Sequence, residues 1–312
     1  MAEWLYEAGI GENRAALVAR GTIRKARIEL PGLRSGTVAT ARLIDRTTGK
    51  VQLASGDEAL CDPIPPRLTQ GASFTVRIVR EPIAERGRAK LAKAVPALDA
   101  APCAGPDLLA AITADGLPVR QLRAHEPDLL EEAGWSEVLE EARTGEIRFA
   151  SGALRLALTP AMTLFDVDGP APLGPLAIDA AHAIAAAMER LDITGSVGID
   201  FPTLANKAER NAVAEAIDAA LPEPFERTAM NGFGFLQIVR RRSRMSLPEL
   251  LAADPAGAEL RAELRRLERL LPPAPETHIV AAALLRRLEQ APQWLAELHR
   301  RTGGRTQFVE QR

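Results

Sequence analysis

Cysteine is nearly absent from this 312-residue chain: Cys61 and Cys103 stand far apart and lack CxxC spacing. That pattern supports neither a zinc site nor a disulfide framework, and both residues read as small buried hydrophobes. No run of about 18 apolar residues occurs, and the opening "MAEWLYEAGIGENR" has no apolar signal core, so the chain reads as cytoplasmic with no membrane partner. Aromatics are scarce, at 4%. Charge of one sign is lacking too. The net charge is −2, so a nucleic-acid site has to be a local basic patch rather than an overall field. The histidines (His125, His182, His278 and His299) are scattered without ligand spacing and read as surface or packing residues. What remains is ordinary for a globular protein, 46% hydrophobic and 26% charged. The length suits about two or three modest domains.

Strand-like alternation dominates the first third. Residues 1–35 read as strands divided at Gly21, and 36–95 as a small all-β module. In the module, "GTVATARLID", "KVQLAS", "EALC" and "SFTVRIVRE" are separated by turn residues such as Thr48-Gly49 and Ser55-Gly56-Asp57. Five such strands suit an oligonucleotide-binding barrel. "ALDAAPCAGPD" (97–107) reads as a linker, and 107–145 as helical. "GEIRFASGALRLALTPAMTLFDVDG" supplies three strand-like pieces. The next helix presents Ala177, Ala180, Ala181, Ile184, Met188 and Leu191 on one face. "SVGIDF" follows as a buried strand; Asn206 and Glu209 form a capping box for the helix after it, whose face is Val213, Ala216, Ile217, Ala220 and Leu221. Strand, helix, strand implies a right-handed crossover between parallel strands. Residues 246–275 read as helical and charge-rich, with "LLPPAPE" a hinge; 278–301 reads as one final helix, followed by a Gly turn and a short strand.

Two strands in this crossover end on aspartate. Asp166 and Asp168, one residue apart in "TLFDVDG", point to one face of their strand. Asp200 ends "SVGIDF". On neighbouring strands the three carboxylates would gather at the carboxyl edge of the sheet, where open α/β sheets bind ligands. They would repel one another without a cation between them. A hard divalent ion, Mg²⁺ or Mn²⁺, fits oxygen donors and could activate water for attack on phosphorus. The competing reading is that all three cap helices or turns. A second cluster is "GFGFLQIVRRRSRMS", in which four of the residues 240–244 are arginine and Phe233 is available to stack on a base. Here the competing reading is a solvated helix face or strand edge. Lys207 and Arg210 follow Asp200, and Arg24, Lys25, Arg27, Arg86, Arg88 and Lys90 add charge in and beside the barrel.

These stretches resemble the ribonuclease E/G family. "SGALRLALTPAMTLFDVDG" and "AIDAAHAIAAAMERLDITGSVGIDFPTL" are similar to the family's core, and "MNGFGFLQIVRRRSRMSL" to a stretch further along it. "VREPIAERGRAKL" is similar to the end of its RNA-binding barrel, and "HIVAAALLRRLEQAPQWLAELHRRTGGR" to its small dimerisation domain. The resemblance spans most of the chain except about 97–145 and 247–275. It implies an α+β multidomain protein: an RNase H-like/DNase I-like mixed α/β catalytic core, an inserted small OB-type β-barrel, and a small C-terminal α/β domain. The implied division is 1–35 N-terminal strands of the core, 36–95 barrel, 96–145 linker and helical remnant, 146–246 catalytic domain, 247–275 helical linker and 276–312 C-terminal domain.

The implied activity is RNA processing by a magnesium-dependent endoribonuclease that cuts single-stranded RNA to 5′-phosphate and 3′-hydroxyl ends. Asp166 and Asp200 match the family's metal-binding aspartates, and Asp168 stands where it has asparagine. Arg86, Lys207, Arg210, Arg240 and Arg242 match basic positions. Departures are Pro160, Gly169-Pro170, Thr203 and Gly232; the 5′-end-sensing Arg-Thr-Ala-Gly stretch and the zinc-link cysteines are absent. No zinc is therefore expected, and a homodimer through 276–312 is. Two other readings stay open: a non-catalytic RNA-binding protein on a degenerate nuclease scaffold, and a metal phosphodiesterase acting on DNA or small nucleotides.

Overall fold

The computed structural model describes residues 1–84, 89–270 and 275–311. The chain is a mixed α/β protein. It opens with an antiparallel meander, β1 (Glu3–Ala8), β2 (Asn13–Ala19) and β3 (Thr22–Glu29). Then β4 (Val38–Asp45), β5 (Lys50–Leu53), β6 (Glu58–Cys61), β7 (Ser73–Arg80) and β8 (Ala92–Pro96) close into a barrel in the order β4-β5-β6-β8-β7. Next come α1 (Leu108–Thr113), β9 (Val119–Gln121), α2 (Leu129–Glu132) and α3 (Trp135–Thr144). The stretch β10 (Glu146–Phe149), β11 (Gly152–Leu158), β12 (Thr163–Asp168), α4 (Leu173–Arg190), β13 (Gly195–Asp200), α5 (Lys207–Ala220), β14 (Glu226–Arg227) and β15 (Phe235–Arg240) builds a six-stranded sheet with two helices. The chain ends with α6 (Leu247–Ala253), α7 (Pro255–Glu268), β16 (Thr277–Val280), α8 (Ala282–Glu289), α9 (Pro292–Thr302) and β17 (Gln307–Glu310).

These elements form two compact units. The first contains Met1–Pro31, Leu108–Ser136 and the chain from Leu251 on; the second contains Gly32–Asp107 and Glu137–Leu250. In the first, β1–β3 pair with one another and, through β1, with β9. The sequence placed these strands in the catalytic core, but they share no pairing with the six-stranded sheet. The residues 278–301 do not make one helix. Branched residues hold Thr277–Val280 extended against β17, and Pro292, which cannot donate to a preceding turn, starts α9 afresh. Nor is α7 only a linker: Leu260, Leu264 and Leu267 join Ile10, Trp294 and Leu298 in one core.

Charge is buried in this unit. Glu7, Glu12, Arg14, Arg261 and Arg265 are all at least nine-tenths buried. Arg265 donates to Glu7 (2.8 Å) and Asp128 (2.5 Å), Arg269 to Glu7 (2.9 Å), Arg14 to both glutamates, and Arg261 to Glu12 (2.6 Å). Burial pushes the Asp128 carboxyl up, but the hydrogen bond and charge of Arg265 outweigh it and hold it below its ordinary 3.8.

In the second unit, the barrel core is Leu43, Val51, Phe74, Val76 and Ile78, with Cys61 buried among them. Burial pushes the Cys61 thiol up to about 11. Cys103, expected to be buried, is exposed. It lies on the segment read as a linker, which instead straps onto β4 by a bridge to Val38 and a bond from Gly105 N to Thr37 Oγ1 (3.0 Å). No helix among the described residues is long and apolar enough to cross a membrane.

Replacing Glu7 by Gln strips three arginines of a buried counter-charge. It should destabilise the protein by about 3–5 kcal/mol, read as a lowered urea midpoint by tryptophan fluorescence. The depressed Asp128 contributes stability that is present above the ordinary carboxyl value of 3.8 and lost as pH falls below it. Asp128→Asn should therefore lower stability at pH 7 and reduce its acid dependence, measured by urea unfolding at pH 7 and pH 3.5.

Candidate functional site

The crossover at the middle of the six-stranded sheet forms as the sequence pattern predicts. On α4 and its C-cap, Ala177, Ala180, Ala181, Ile184, Met188 and Leu191 are all buried. At the start of α5, Asn206 accepts from Glu209 N (2.9 Å) and Glu209 accepts from Asn206 Nδ2 (3.0 Å), a reciprocal cap. The strands β12 and β13 run parallel, with Phe165 opposite Ile199 and Asp166 opposite Asp200. Phe165, Val167, Val197 and Ile199 are buried. Period-2 alternation then turns Asp166, Asp168 and Asp200 to the other face, where all three are exposed.

Register extends this into a row across five strands: Glu146, Arg155, Asp166, Asp200 and Phe235. Neighbouring strands lie about 4.8 Å apart, so Asp166 and Asp200 are side by side. Asp168 is set apart. It lies one row further, opposite Ala153, and among the described residues its nearest cation is Arg155 at 3.9 Å. Among the described residues, no group of three or more His, Cys, Asp or Glu is placed to hold a metal ion. The expected trio is thus a pair and a neighbour. The pair still suits a hard cation, because Mg²⁺ commonly takes one or two carboxylates and keeps several waters, and both side chains open to solvent.

Phe233 belongs to this edge. It is 84% exposed, at the tip of the loop before β15. Asn231 Oδ1 accepts from Phe233 N (2.9 Å) and Phe235 N (3.1 Å), and Gly234 O accepts from Phe201 N (3.2 Å). Gly234 sits at φ +97°, where an added Cβ would strike the Phe201 carbonyl. Gly198 is small for another reason: Leu164, Met162 and Phe235 would each lie within 2.8 Å of its Cβ, so these three cover the sheet beside Asp200.

The arginine cluster is elsewhere. Arg240 pairs with Gly195 at the far end of β13 from Asp200, about 16 Å away at about 3.3 Å per residue. Arg240 bonds Glu189 (2.7 Å), Arg242 bonds Glu249, and Arg244 bonds Asp192 (2.5 Å). Alternate arginines are thus tied to α4, to the turn after it and to α6. The loop after β7 meets the same end through Glu81 N to Ser243 O (2.8 Å). Arg240 and Arg242, expected to grip RNA, are spent on internal pairs. Lys207 is exposed and Arg210 half-buried in the first turn of α5. Arg86, with Arg88, lies outside the described residues. Arg148 and Arg155, not singled out in the sequence, face solvent on the aspartate side. Their signal was the alternation of β10 and β11.

The chain matches no protein-family model and no curated protein.

Phe233→Ala should leave folding stability within about 0.5 kcal/mol of wild type. If a base stacks on the ring, it should weaken single-stranded RNA binding by about 1–3 kcal/mol, measured by fluorescence anisotropy beside a thermal melt.

Proposed function

We propose that the chain is a Mg²⁺-dependent endoribonuclease acting on single-stranded RNA. The observation that carries this reading is the exposed Asp166–Asp200 pair. Like charges directly opposite on neighbouring strands are destabilising, and a bound cation offsets that cost. Asp166 and Asp200 would hold Mg²⁺, or Mn²⁺ in its place, through one oxygen or more each. Bound there, the ion supplies positive charge to the scissile phosphate and a water of lowered pKa. Phe233 offers a stacking face at the same edge, and Lys207 and Arg155 supply charge. The choice of RNA, and of 5′-phosphate and 3′-hydroxyl products, rests on the resemblance to the ribonuclease E/G family.

The finer fold assignment belongs to this reading: the six-stranded sheet as an RNase H-like/DNase I-like core, the barrel as an OB-type module. The only aromatic residue on the described barrel strands is Phe74, which is buried. Its grip on a strand would rest on exposed Arg42, Arg77 and Lys93 rather than on stacking. Dimerisation through 276–312 is likewise proposed, with Ile279 and Val309, exposed register partners on β16 and β17, as a contact. The place of Asp168 outside the pair favours a second reading, an RNA-binding protein without catalysis.

Mg²⁺ should raise the thermal midpoint of the wild type, and Asp200→Asn should abolish that shift while melting no lower than wild type without metal. Cleavage of a strand about a dozen nucleotides long should vanish with EDTA and with Asp200→Asn, and be equal for 5′-hydroxyl and 5′-monophosphate ends. Binding without cleavage and without a Mg²⁺ shift would select the non-catalytic reading.

A further inference from the structure

Beside the aspartate pair, the exposed face of the sheet holds a groove of about 360 Å³. That is within the range of small-ligand pockets, about 300–1,000 Å³. Its polar walls are Glu146 and Arg148 on β10, Arg155 on β11 and Asp168 on β12. Alternation puts Glu146 and Arg148 on one side of β10, and register sets Arg148 opposite Ala153, which is opposite Asp168. The small Ala153 side chain leaves the space between Arg148 and Asp168 open.

Two features decide what such a groove would take. The first is weak internal pairing. Arg155 and Asp168 are 3.9 Å apart and 69% and 67% exposed, and no hydrogen bond or ion pair engages the side chain of Arg148 or Glu146 among the described residues. The second is charge balance. Two arginines and two carboxylates sum to zero, so a phosphate entering the groove would meet as much repulsion as attraction. A neutral group that presents acceptors and donors together meets neither penalty. Arginine forks the O6 and N7 acceptors of guanine, and carboxylates accept from amino and ring N–H groups. Unstacked bases of single strands are read on these edges.

We infer that the groove is a base-reading subsite that takes one unstacked guanine of the bound strand next to the cleavage position, with Arg148 and Arg155 as donors and Glu146 and Asp168 as acceptors. This rests on the single-stranded RNA reading above. It also gives Asp168 a task that its distance from the Asp166–Asp200 pair leaves open.

The test is binding in EDTA, independent of catalysis. Fluorescence anisotropy would compare strands of about a dozen uridines in which one position is changed in turn to guanine, adenine or cytosine. Wild type should prefer guanine at one position by about tenfold. Arg148→Gln and Arg155→Gln should each remove the preference, and Arg155→Lys should remove it while keeping the salt dependence, since lysine retains the charge but not the fork. All four side chains are exposed, so thermal midpoints should stay near wild type. Equal affinity for all bases, or a preference that survives both glutamine substitutions, would overturn the inference and leave the nuclease reading intact. Uniform weakening of every strand, with the salt slope flattened by about 0.7 per arginine, would reassign the arginines to phosphate and also overturn it. A wild type that binds no RNA, in EDTA or in Mg²⁺, would overturn both readings.

Discussion

The parallel pairing of β12 with β13 is the constraint on which the second unit depends. One face of each strand is buried, that of β12 against α4, whose alanines let it lie close to the sheet, and that burial fixes register. With Phe165 opposite Ile199 in the core, Asp166 has nowhere to be but beside Asp200 on the exposed face. A slip of one residue would bury carboxylates and expose two large apolar side chains. At about 25 cal/mol per Å² of apolar surface, this would cost more than the repulsion between two solvated carboxylates. The apolar side of the sheet therefore sets the position of the charged side, and the acidic pair is held by residues that never touch it.

That logic explains what was legible in the sequence. Alternation and helical periodicity are local, so β10–β13, the face of α4, the Asn206–Glu209 cap and four of the five barrel strands could be read from short windows; β8 (Ala92–Pro96) was not among them. The side to which each aspartate points could be read as well. Whether three carboxylates converge could not, because that depends on which residues stand opposite across strands. Asp166 meets Asp200, whereas Asp168 meets Ala153. The same gap hid Arg155: nothing local to "ALRLAL" says that its arginine stands opposite Asp166.

The arginines show the limit most plainly. A run such as Arg240-Arg241-Arg242 resembles a phosphate grip in sequence, yet Glu189 and Asp192, the partners of Arg240 and Arg244, lie about 50 residues back on α4 and the turn after it. In the first unit the separation is larger still, with Arg261 bonded to Glu12 and Arg265 to Glu7. Burying such ions costs several kcal/mol each unless partners satisfy them. The charges on β1, on the turn before β2 and on α7 are therefore only tolerable together, and this ties the first residues of the chain to a helix near its end. A sequence window containing either half shows only surplus charge.

Basic residues in this chain thus divide by whether the fold already uses them. Arg240, Arg242 and Arg244 at the far end of β15, and Arg261 and Arg265 on α7, are neutralised internally and add little field outside the protein. Among the exposed ones, Arg148 and Arg155 on the aspartate face, Lys207 at the start of α5, and Arg42, Arg77 and Lys93 on the barrel remain available to a ligand. With a net charge of −2, long-range attraction cannot gather a polyanion. A strand held at the acidic pair would have to be held by contacts within a few ångströms: a ring beside Asp200, a fork beside Asp168, and a cation between the carboxylates. An arrangement of this kind favours discrimination over affinity. Each contact is directional, each would be lost with a single side chain, and each stands on a strand, or on the loop leading into one, whose register the buried face has already fixed.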